Sequence, residues 1–588
     1  MASVFNVQRS ALGNCWQWRG GVAPDVASDS ADGTDAMMRQ LFRARGAGAA
    51  DFDRLRAPTI RDWLPDPSIF RDMDVAAARL AKAIVARESI VVFGDYDVDG
   101  ATSAALLVRV IRDCGGIASS YIPDRLLEGY GPSADAMRAL AASGADLVVT
   151  VDCGTQGFEA LSAAAAEGLD VIVVDHHRAS TELPRCVAVV NPNRLDEGEG
   201  AAFGHLAAVG VAFLLAVGIV RNLRLAGIFG ERPEPKLTQL LDIVALGTVC
   251  DVVPLTGLNR AFVAQGLKVM AQRRNLGLNA LIAASGLERA PTCHDLGFAL
   301  GPRINAGGRV GQADLGVRLL TTNDPDEATA LAAELDRLNV ERRAIEADVT
   351  EAAHLAAGSH ANEAIAVIAG EGWHPGVVGI VASRLKDRLH RPVIVLSLQP
   401  DGSAKGSGRS VPGVDLGGAV LAAKERGLLV AGGGHAMAAG VTVAPGGIDA
   451  FAAFMNERCA AEVGAARVAA SLMCDAAVSP RGVCIELAEA LDGAGPYGQG
   501  WPHPRVASGP WTIVKCEVVG EAHVRVILAG ADGARLKAMA FRSADGPLGV
   551  ALASAGRRPL YLAGRVKRDD WGRTPAAELH LDDFAFAD

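Results

Sequence analysis

Short, unbroken apolar runs alternate with helix-period segments from about residue 74 onward. The run Ser89-Ile-Val-Val-Phe93 lies between two helical stretches, Val75–Arg87 and Ala101–Asp113. Leu147–Val151 and Val171–Val174 repeat the pattern. Continuous apolar runs of this length, without alternation, predict strands buried on both faces of a parallel sheet. Residues 205–288 read as mainly helical, and Leu206–Val220 is apolar but short for a membrane span, so a buried helix is expected. A long helix, Pro325–Ala357, carries a dense polar face and is placed to bridge two domains. A second α/β unit starts near 362, with strands Ala364–Ala369 and Val393–Leu398 around a helix Val377–Leu389. After about 470 the runs become short, β-like and punctuated by glycine (Trp511–Val519, Val524–Leu528, Ala538–Phe541, Leu560–Val566), which predicts a small barrel. Residues 1–70, broken by Pro58, Pro65 and Pro67, read as a partly helical arm.

The chain has 588 residues, more than one core holds. Half of them are apolar and 21% charged, as in soluble globular proteins. A net charge of −10 argues against a general nucleic-acid coat protein, though not against a basic channel on an acidic body. Ten cysteines are scattered without a Cys-x-x-Cys pair, so no thiolate zinc site is expected and a reducing, cytoplasmic setting fits. The N-terminus lacks an apolar core of signal-peptide length, and no membrane association is expected.

The chemistry gathers at the strand ends. Asp95, Asp97 and Asp99 follow the first run, Asp152 the second, and Asp175, His176 and His177 the third; Asp251 follows the apolar stretch Ile243–Cys250. Ligands in parallel sheets bind at the carboxyl ends of strands. Like charges this close repel unless something neutralises them. Carboxylates with imidazole and no thiolate suit Mn²⁺ or Mg²⁺, and there are enough carboxylates for two ions with a bridge. Taken singly, such an aspartate is usually a helix cap; the joint pattern is what predicts a metal site.

Gly94-Asp-Tyr-Asp-Val-Asp-Gly100, Val151-Asp-Cys-Gly154, Asp175-His-His177 and Gly247–Pro254 resemble, in order, the four motifs of the DHH phosphoesterases. Gly432-Gly-Gly-His435 resembles the phosphate-binding loop of that family's associated C-terminal domain. The GDYDVDG form, the basic glycine-rich loop Gly301–Arg309 and Gly495-Pro-Tyr-Gly-Gln-Gly-Trp-Pro502 are similar to the family's single-strand-specific exonuclease branch. The resemblance runs from about residue 60 to the C-terminus. It implies an α/β protein: an arm at 1–70, a parallel-sheet DHH domain at 71–320, a connecting helix at 321–358, a DHH-associated substrate-binding α/β domain at 359–468 and an OB-like nucleic-acid-binding β-barrel at 469–588.

The implied activity is metal-dependent 5′→3′ degradation of single-stranded DNA to mononucleotides, in recombination and repair. A water activated by two cations attacks the phosphodiester. Asp97 and Asp95 are the implied ligands of one metal; Asp99, His176 and Asp251 are those of the other, and Asp152 bridges the two. His177 meets the scissile phosphate or orients a ligand. Asp175 orients a ligand or caps the next helix. Arg125, Arg303, Asn305, Arg309, Arg409, Gly433, Gly434 and His435 are the implied substrate contacts, and Tyr497 and Trp501 are placed to stack on bases or simply to pack a linker. Arg342 and Arg343 offer a solvated face or a backbone contact. The implied partners are single-stranded DNA, a helicase and a single-strand-binding protein, around a monomer. The alternatives are a small-substrate DHH hydrolase acting on oligonucleotides or cyclic dinucleotides, a catalytically dead DNA-binding scaffold, and a pyrophosphatase. The chain length, the β-rich C-terminal region and the intact ligand set stand against them. Trp501 stands where an asparagine is common in the exonuclease branch.

Overall fold

The computed structural model of the chain describes all residues except 1–2, 22–30, 125–127, 130, 361–362, 469–470, 572–573 and 588. The N-terminal segment is stitched to the far end of the chain. Strand β1 (Cys15–Trp18) pairs in parallel with Ser471–Cys474. Trp16 and Trp18 are buried with Cys474, Ala507, Ala563 and Ala585.

Five strands form the first parallel sheet: β2 (Ser89–Gly94), β3 (Ile117–Tyr121), β4 (Leu147–Val151), β5 (Asp170–Val174) and β6 (Ala188–Val190). Their order is β3-β2-β4-β5-β6. The chain leaves β2 for one side and returns on the other, so the crevice at the carboxyl ends of β2 and β4 is a topological switch point. Helices Val98–Asp113, Ala208–Leu225 and Leu241–Cys250 cover one face within the largest core. Helices Ala134–Ala142 and Phe158–Ala166 cover the other. The apolar helix Ala208–Leu225 is a core helix, with 72% of its span buried. Strand β3 was not legible as a run, because its sequence IASSY is half polar and half-buried at one edge.

Gly301–Arg309 is not a loop. It is a helix, Gly301–Val310, continuing from a π-helical turn at Leu296–Leu300. Glycine usually breaks a helix; here it permits close packing. A Cβ at Gly308 would stand 2.7 Å from the Tyr96 carbonyl oxygen, inside the aspartate loop. Tertiary packing overrides local propensity at this helix.

The helix Pro325–Ala357 has the predicted bounds. Arg342 is not a solvated residue: it is buried and paired with Glu346 at 2.7 Å, and Glu346 also pairs with Arg384 on the helix Val378–Leu389. Buried Glu346, held by buried Arg342 and by the exposed Arg384, fastens the bridging helix to the second unit. There, β7 (Ala366–Glu371), β8 (Val393–Leu398), β9 (Ala404–Arg409), β10 (Ala431–His435) and β11 (Ala438–Val443) lie in the order β10-β11-β9-β8-β7. Gly432–His435, which in sequence resembles a loop, lies in strand β10, and the glycine-rich Gly406–Arg409 lies in β9, since each finds a ladder partner in β11. Strand β10 is the edge, so half of its backbone groups point away from the sheet.

The C-terminal region adds β12 (Ser471–Cys474), β13 (Ala476–Val478), β14 (Val506–Val519), β15 (His523–Gly530), β16 (Arg535–Ala540), β17 (Leu560–Asp569) and β18 (Ala576–Phe586). Pairing runs β14-β15-β16-β18-β17, and β17 returns to β14, which closes a five-stranded barrel.

Candidate metal centre

The aspartates after β2 are held by the helix they begin. Asp97 caps Val98–Asp113, its Oδ1 accepting from the N–H groups of Asp99 at 2.9 Å and Gly100 at 3.2 Å. Gly100 is required, because a Cβ there would collide with the Asp95 backbone. Asp99, fully buried, accepts from Ala208 N at 2.7 Å and Val209 N at 2.9 Å, the first amides of the next core helix. A helix N-terminus favours negative charge. Asp152 sits at φ +60°, a left-handed conformation costly for a non-glycine residue, directly after β4.

His176 faces this group. Its Nδ1–H donates to the Leu206 carbonyl at 3.0 Å, so Nε2 carries the lone pair. Nε2 lies 3.2 Å from Asp152 Oδ1, 3.6 Å from Asp251 Oδ2 and 4.0 Å from Asp99 Oδ2. Among the described residues, neither His176 Nε2 nor Asp251 Oδ2 finds a hydrogen-bond partner, although both atoms are buried. A lone pair aimed at carboxylate oxygens in a buried site is repulsive unless a cation stands between them.

The ligand atoms fall into compact sets. Asp95, Asp97 and Asp152 form one, Asp99, His176 and Asp251 a second, and Asp152, His176 and His177 a third; within each, the atoms lie within 4.8 Å of one another. Asp152 belongs to two sets and touches His176 of the remaining one. The arrangement fits two divalent ions with Asp152 between them.

The electrostatics carry the same signature. Burial, then the Asp97 charge, raises Asp99 to about 7. Burial, then the surrounding aspartates, raises Asp152 and Asp251 well above the carboxylate range. Burial and the neighbouring His177 pull His176 down to about 4, which keeps its ring neutral.

Asp175 stands behind the cluster. It accepts from the backbone of Thr155, His176 and His177 and from His177 Nδ1 at 2.8 Å. Burial alone would raise it; the His177 hydrogen bond and charge overcome that and hold it below the usual range. Burial opposes a rise for His177, yet the Asp175 bond raises it. Asn191 and Asn193 escaped the sequence reading. Asn191 donates to the His177 carbonyl at 2.8 Å, and Asn193 to those of His176 at 2.6 Å and Gly204 at 2.8 Å. The signal was available: Val190-Asn-Pro-Asn193 is one more polar turn after an apolar run.

The expected substrate residues are less gathered. Arg303 pairs with Asp336 of the bridging helix at 2.8 Å and donates to the Ala299 carbonyl. Arg309 donates to the Gly376 carbonyl at 2.7 Å, joining the first unit to the second. Asn305 lines a cavity of about 430 Å³ together with Tyr497. Gly433 lines another, of about 630 Å³, with Lys405 and Ser407. Gly434 and the exposed His435 end strand β10, and Arg409, at the end of β9, donates to the Gly408 carbonyl at 2.8 Å. Arg125 lies outside the described residues.

Trp501 does not offer a stacking face. It is 5% exposed, with the guanidinium groups of Arg45 and Arg260 over its ring at 5.1 and 4.9 Å from the centroid and Phe42 stacked on it. Arg260, itself fully buried, donates to the carbonyls of Leu55, Ala494, Gly495 and Pro496. This lock joins the N-terminal segment, the first unit and the barrel entry. Tyr497 is half-buried, its hydroxyl donating to the Leu491 carbonyl.

Comparisons with known proteins agree with this geometry. Residues 89–248 match the profile of the DHH family, N-terminal domain, residues 362–461 the DHHA1 domain, and residues 474–583 the RecJ OB domain. The chain is 38% identical to the single-stranded-DNA-specific exonuclease RecJ of Dickeya dadantii, over 87% of this chain and 90% of that one. It is 37% identical to the RecJ of Escherichia coli, over 85% and 88%. The Mn²⁺ complex of Thermus thermophilus RecJ superposes with a TM-score of 0.75 at 29% identity, covering 97% of this chain and 79% of that one.

Proposed function

Because the chain belongs to the RecJ family of DHH phosphoesterases, we propose that its carboxylate–imidazole cluster holds two Mn²⁺ or Mg²⁺ ions and hydrolyses single-stranded DNA from the 5′ end to mononucleotides. The observation that carries this is the neutral His176 Nε2 aimed at the carboxylates of Asp99, Asp152 and Asp251. Asp95 and Asp97 would hold one ion and Asp99, His176 and Asp251 the other, with Asp152 available to both.

Bound cations of this kind lower the pKa of an attacking water and offset charge on the phosphate. The residues do the rest. The Ala208 and Val209 amides fix Asp99, and the Leu206 carbonyl fixes the His176 tautomer. Protonated His177, favoured by the Asp175 carboxylate, keeps Nδ1–H on Asp175 and has a second N–H, on Nε2, to donate to a phosphate oxygen. Arg409, Gly433, Gly434 and His435 hold the departing nucleotide from the second unit. Arg303, Asn305 and Arg309 grip the backbone of the strand, and Arg125 is a further contact that the family resemblance implies; a guanidinium fork matches phosphate oxygens.

The barrel and the match over most of the chain to exonucleases disfavour a small-substrate hydrolase. In this reading the enzyme acts as a cytoplasmic monomer in recombination and repair, on strands supplied by a helicase and met beside a single-strand-binding protein. The test is digestion of an internally labelled single strand with Mn²⁺ or Mg²⁺, beside a blunt duplex and a dinucleotide, with Asp152→Ala as control. Shortening of the single strand alone from its 5′ end, with an inert variant, supports the reading. Cleavage of the dinucleotide alone overturns it.

A further inference from the structure

The residue after Asp251 is unusual. Val252 is β-branched, yet it adopts φ +61° and leaves its side chain 64% exposed. Left-handed backbone at a β-branched residue is strained and collects at functional sites. Val252 forms part of the wall of the 430 Å³ cavity, whose volume is in the range of small-molecule sites. Gly297 and Phe298 of the π-helical turn Leu296–Leu300, another local irregularity typical of such sites, also line it. On that turn Phe298 is 75% exposed, and its ring stacks on exposed His294 with centroids 4.6 Å apart and planes 23° apart. Asn305 and Gln499 bring amide groups to an otherwise largely apolar lining.

The helix Gly301–Val310 orients this cavity. Near its C-terminal end Arg309 meets the second unit at Gly376. Gly308 packs on Tyr96, between Asp95 and Asp97. At its N-terminal end Gly301, Pro302 and Asn305 line the cavity with Tyr497–Gln499, which lead into the barrel. The cavity therefore adjoins the metal cluster on the barrel side, and the 630 Å³ cavity lies in the second unit.

We propose that this cavity seats the base of the nucleotide on the 3′ side of the scissile phosphate, stacked on Phe298 with His294 backing the ring. The assignment rests on the 5′→3′ reading above. An aromatic face with two flanking amides recognises any unpaired base, which suits sequence-independent action on a single strand. A base-paired nucleotide has no free face to offer, so the same seat selects against duplex.

The experiment compares 5′-phosphorylated oligodeoxynucleotides that are intact, abasic at the second nucleotide or abasic at the sixth. The kcat/KM of the first cleavage is measured with Mn²⁺ for the parent, Phe298→Ala and His294→Ala. In the parent, the abasic site at position 2 lowers kcat/KM by roughly 5- to 100-fold, the scale of one lost base–aromatic stack. Phe298→Ala loses a similar factor on the intact strand and nothing further on the position-2 substrate. His294→Ala loses less, and the position-6 site costs little in any protein. An undiminished position-2 penalty in Phe298→Ala, or an unimpaired Phe298→Ala on the intact strand, overturns the proposal. A second readout needs no turnover: 2-aminopurine at position 2 is quenched on binding to the parent with Ca²⁺ and not on binding to Phe298→Ala. If the parent cuts no single strand, the exonuclease reading fails, and equal quenching by both proteins removes the base seat independently. Phe298 is exposed, so its loss leaves the core intact.

Discussion

His176 donates its Nδ1 proton to the carbonyl of Leu206 at 3.0 Å. That carbonyl lies two residues before Ala208, whose amide holds Asp99. One turn of backbone therefore sets both the tautomer of the imidazole and the position of a carboxylate facing it. Replacing His176 by alanine should abolish Mn²⁺-dependent turnover and leave the far-ultraviolet circular dichroism unchanged. Nδ1–H already has a partner, so a weakened but active His176→Gln would point to an orienting role for the ring instead.

Asp175 accepts four hydrogen bonds from the segment that carries both histidines and from Thr155. Asp175→Asn removes the charge that raises His177 and places an NH₂ group where one carboxylate oxygen accepted. Partners of this kind typically change metal affinity or activity about 10- to 100-fold. Mn²⁺ titration of activity should show that loss together with a fall in the upper pKa of the pH profile. No helix directly follows Asp175, so an unchanged profile would leave it only a brace for the turn that carries both histidines.

In the metal-free protein, Asp99 is raised to about 7 by burial and by Asp97. A carboxyl whose folded-state pKa is raised stabilises the fold fully below its unfolded value, and the contribution is lost as pH rises through about 7. Chelator-treated protein should therefore melt at a lower temperature at pH 8 than at pH 5. Mn²⁺ should restore the melting point at pH 8, and Asp99→Asn should flatten the pH dependence without metal. A parent protein and an Asp99→Asn variant with the same pH slope would refute this assignment.

Arg260 is a buried cation satisfied by four carbonyls from two distant segments. Arg260→Met leaves those oxygens without their donor and strips a guanidinium from the Trp501 face. The cost should be at least about 3 kcal/mol by denaturant unfolding. Limited proteolysis should then cut near residues 494–505, where the barrel meets the first unit. Trp501→Ala should act in the same direction, on stability first and on DNA affinity only secondarily.

Arg303 presents a different test, because its fork already grips Asp336. If the guanidinium exchanges that carboxylate for phosphate, Arg303→Ala should raise KM and reduce the slope of log K against log salt by about 1. Asp336→Ala should lower KM. Equal KM values in all three proteins would make the pair a structural tie.

The metal site was legible in the sequence because parallel strands buried on both faces write themselves as apolar runs, and the residues after the runs must meet at one sheet edge. Asp95, Asp97, Asp99, Asp152, Asp175, His176 and His177 were placed by that rule alone, and the resemblance added their roles. The half-polar edge strand β3 left no such trace. The glycine-rich segments misled for a related reason. Glycine reports that something approaches closely, and it does not say whether the backbone is a turn, a strand or a helix. Tyr96 against Gly308 made one a helix, and the β11 ladder made two others strands. Trp501 showed the limit most plainly. Its neighbours in sequence allowed a base platform, but Arg45 and Arg260, hundreds of residues away, lie over its ring and bury it together with Phe42. Which residues carry the chemistry is written locally, in strand ends and caps. Which aromatic faces remain open to DNA depends on long-range packing, and only the folded chain decides that.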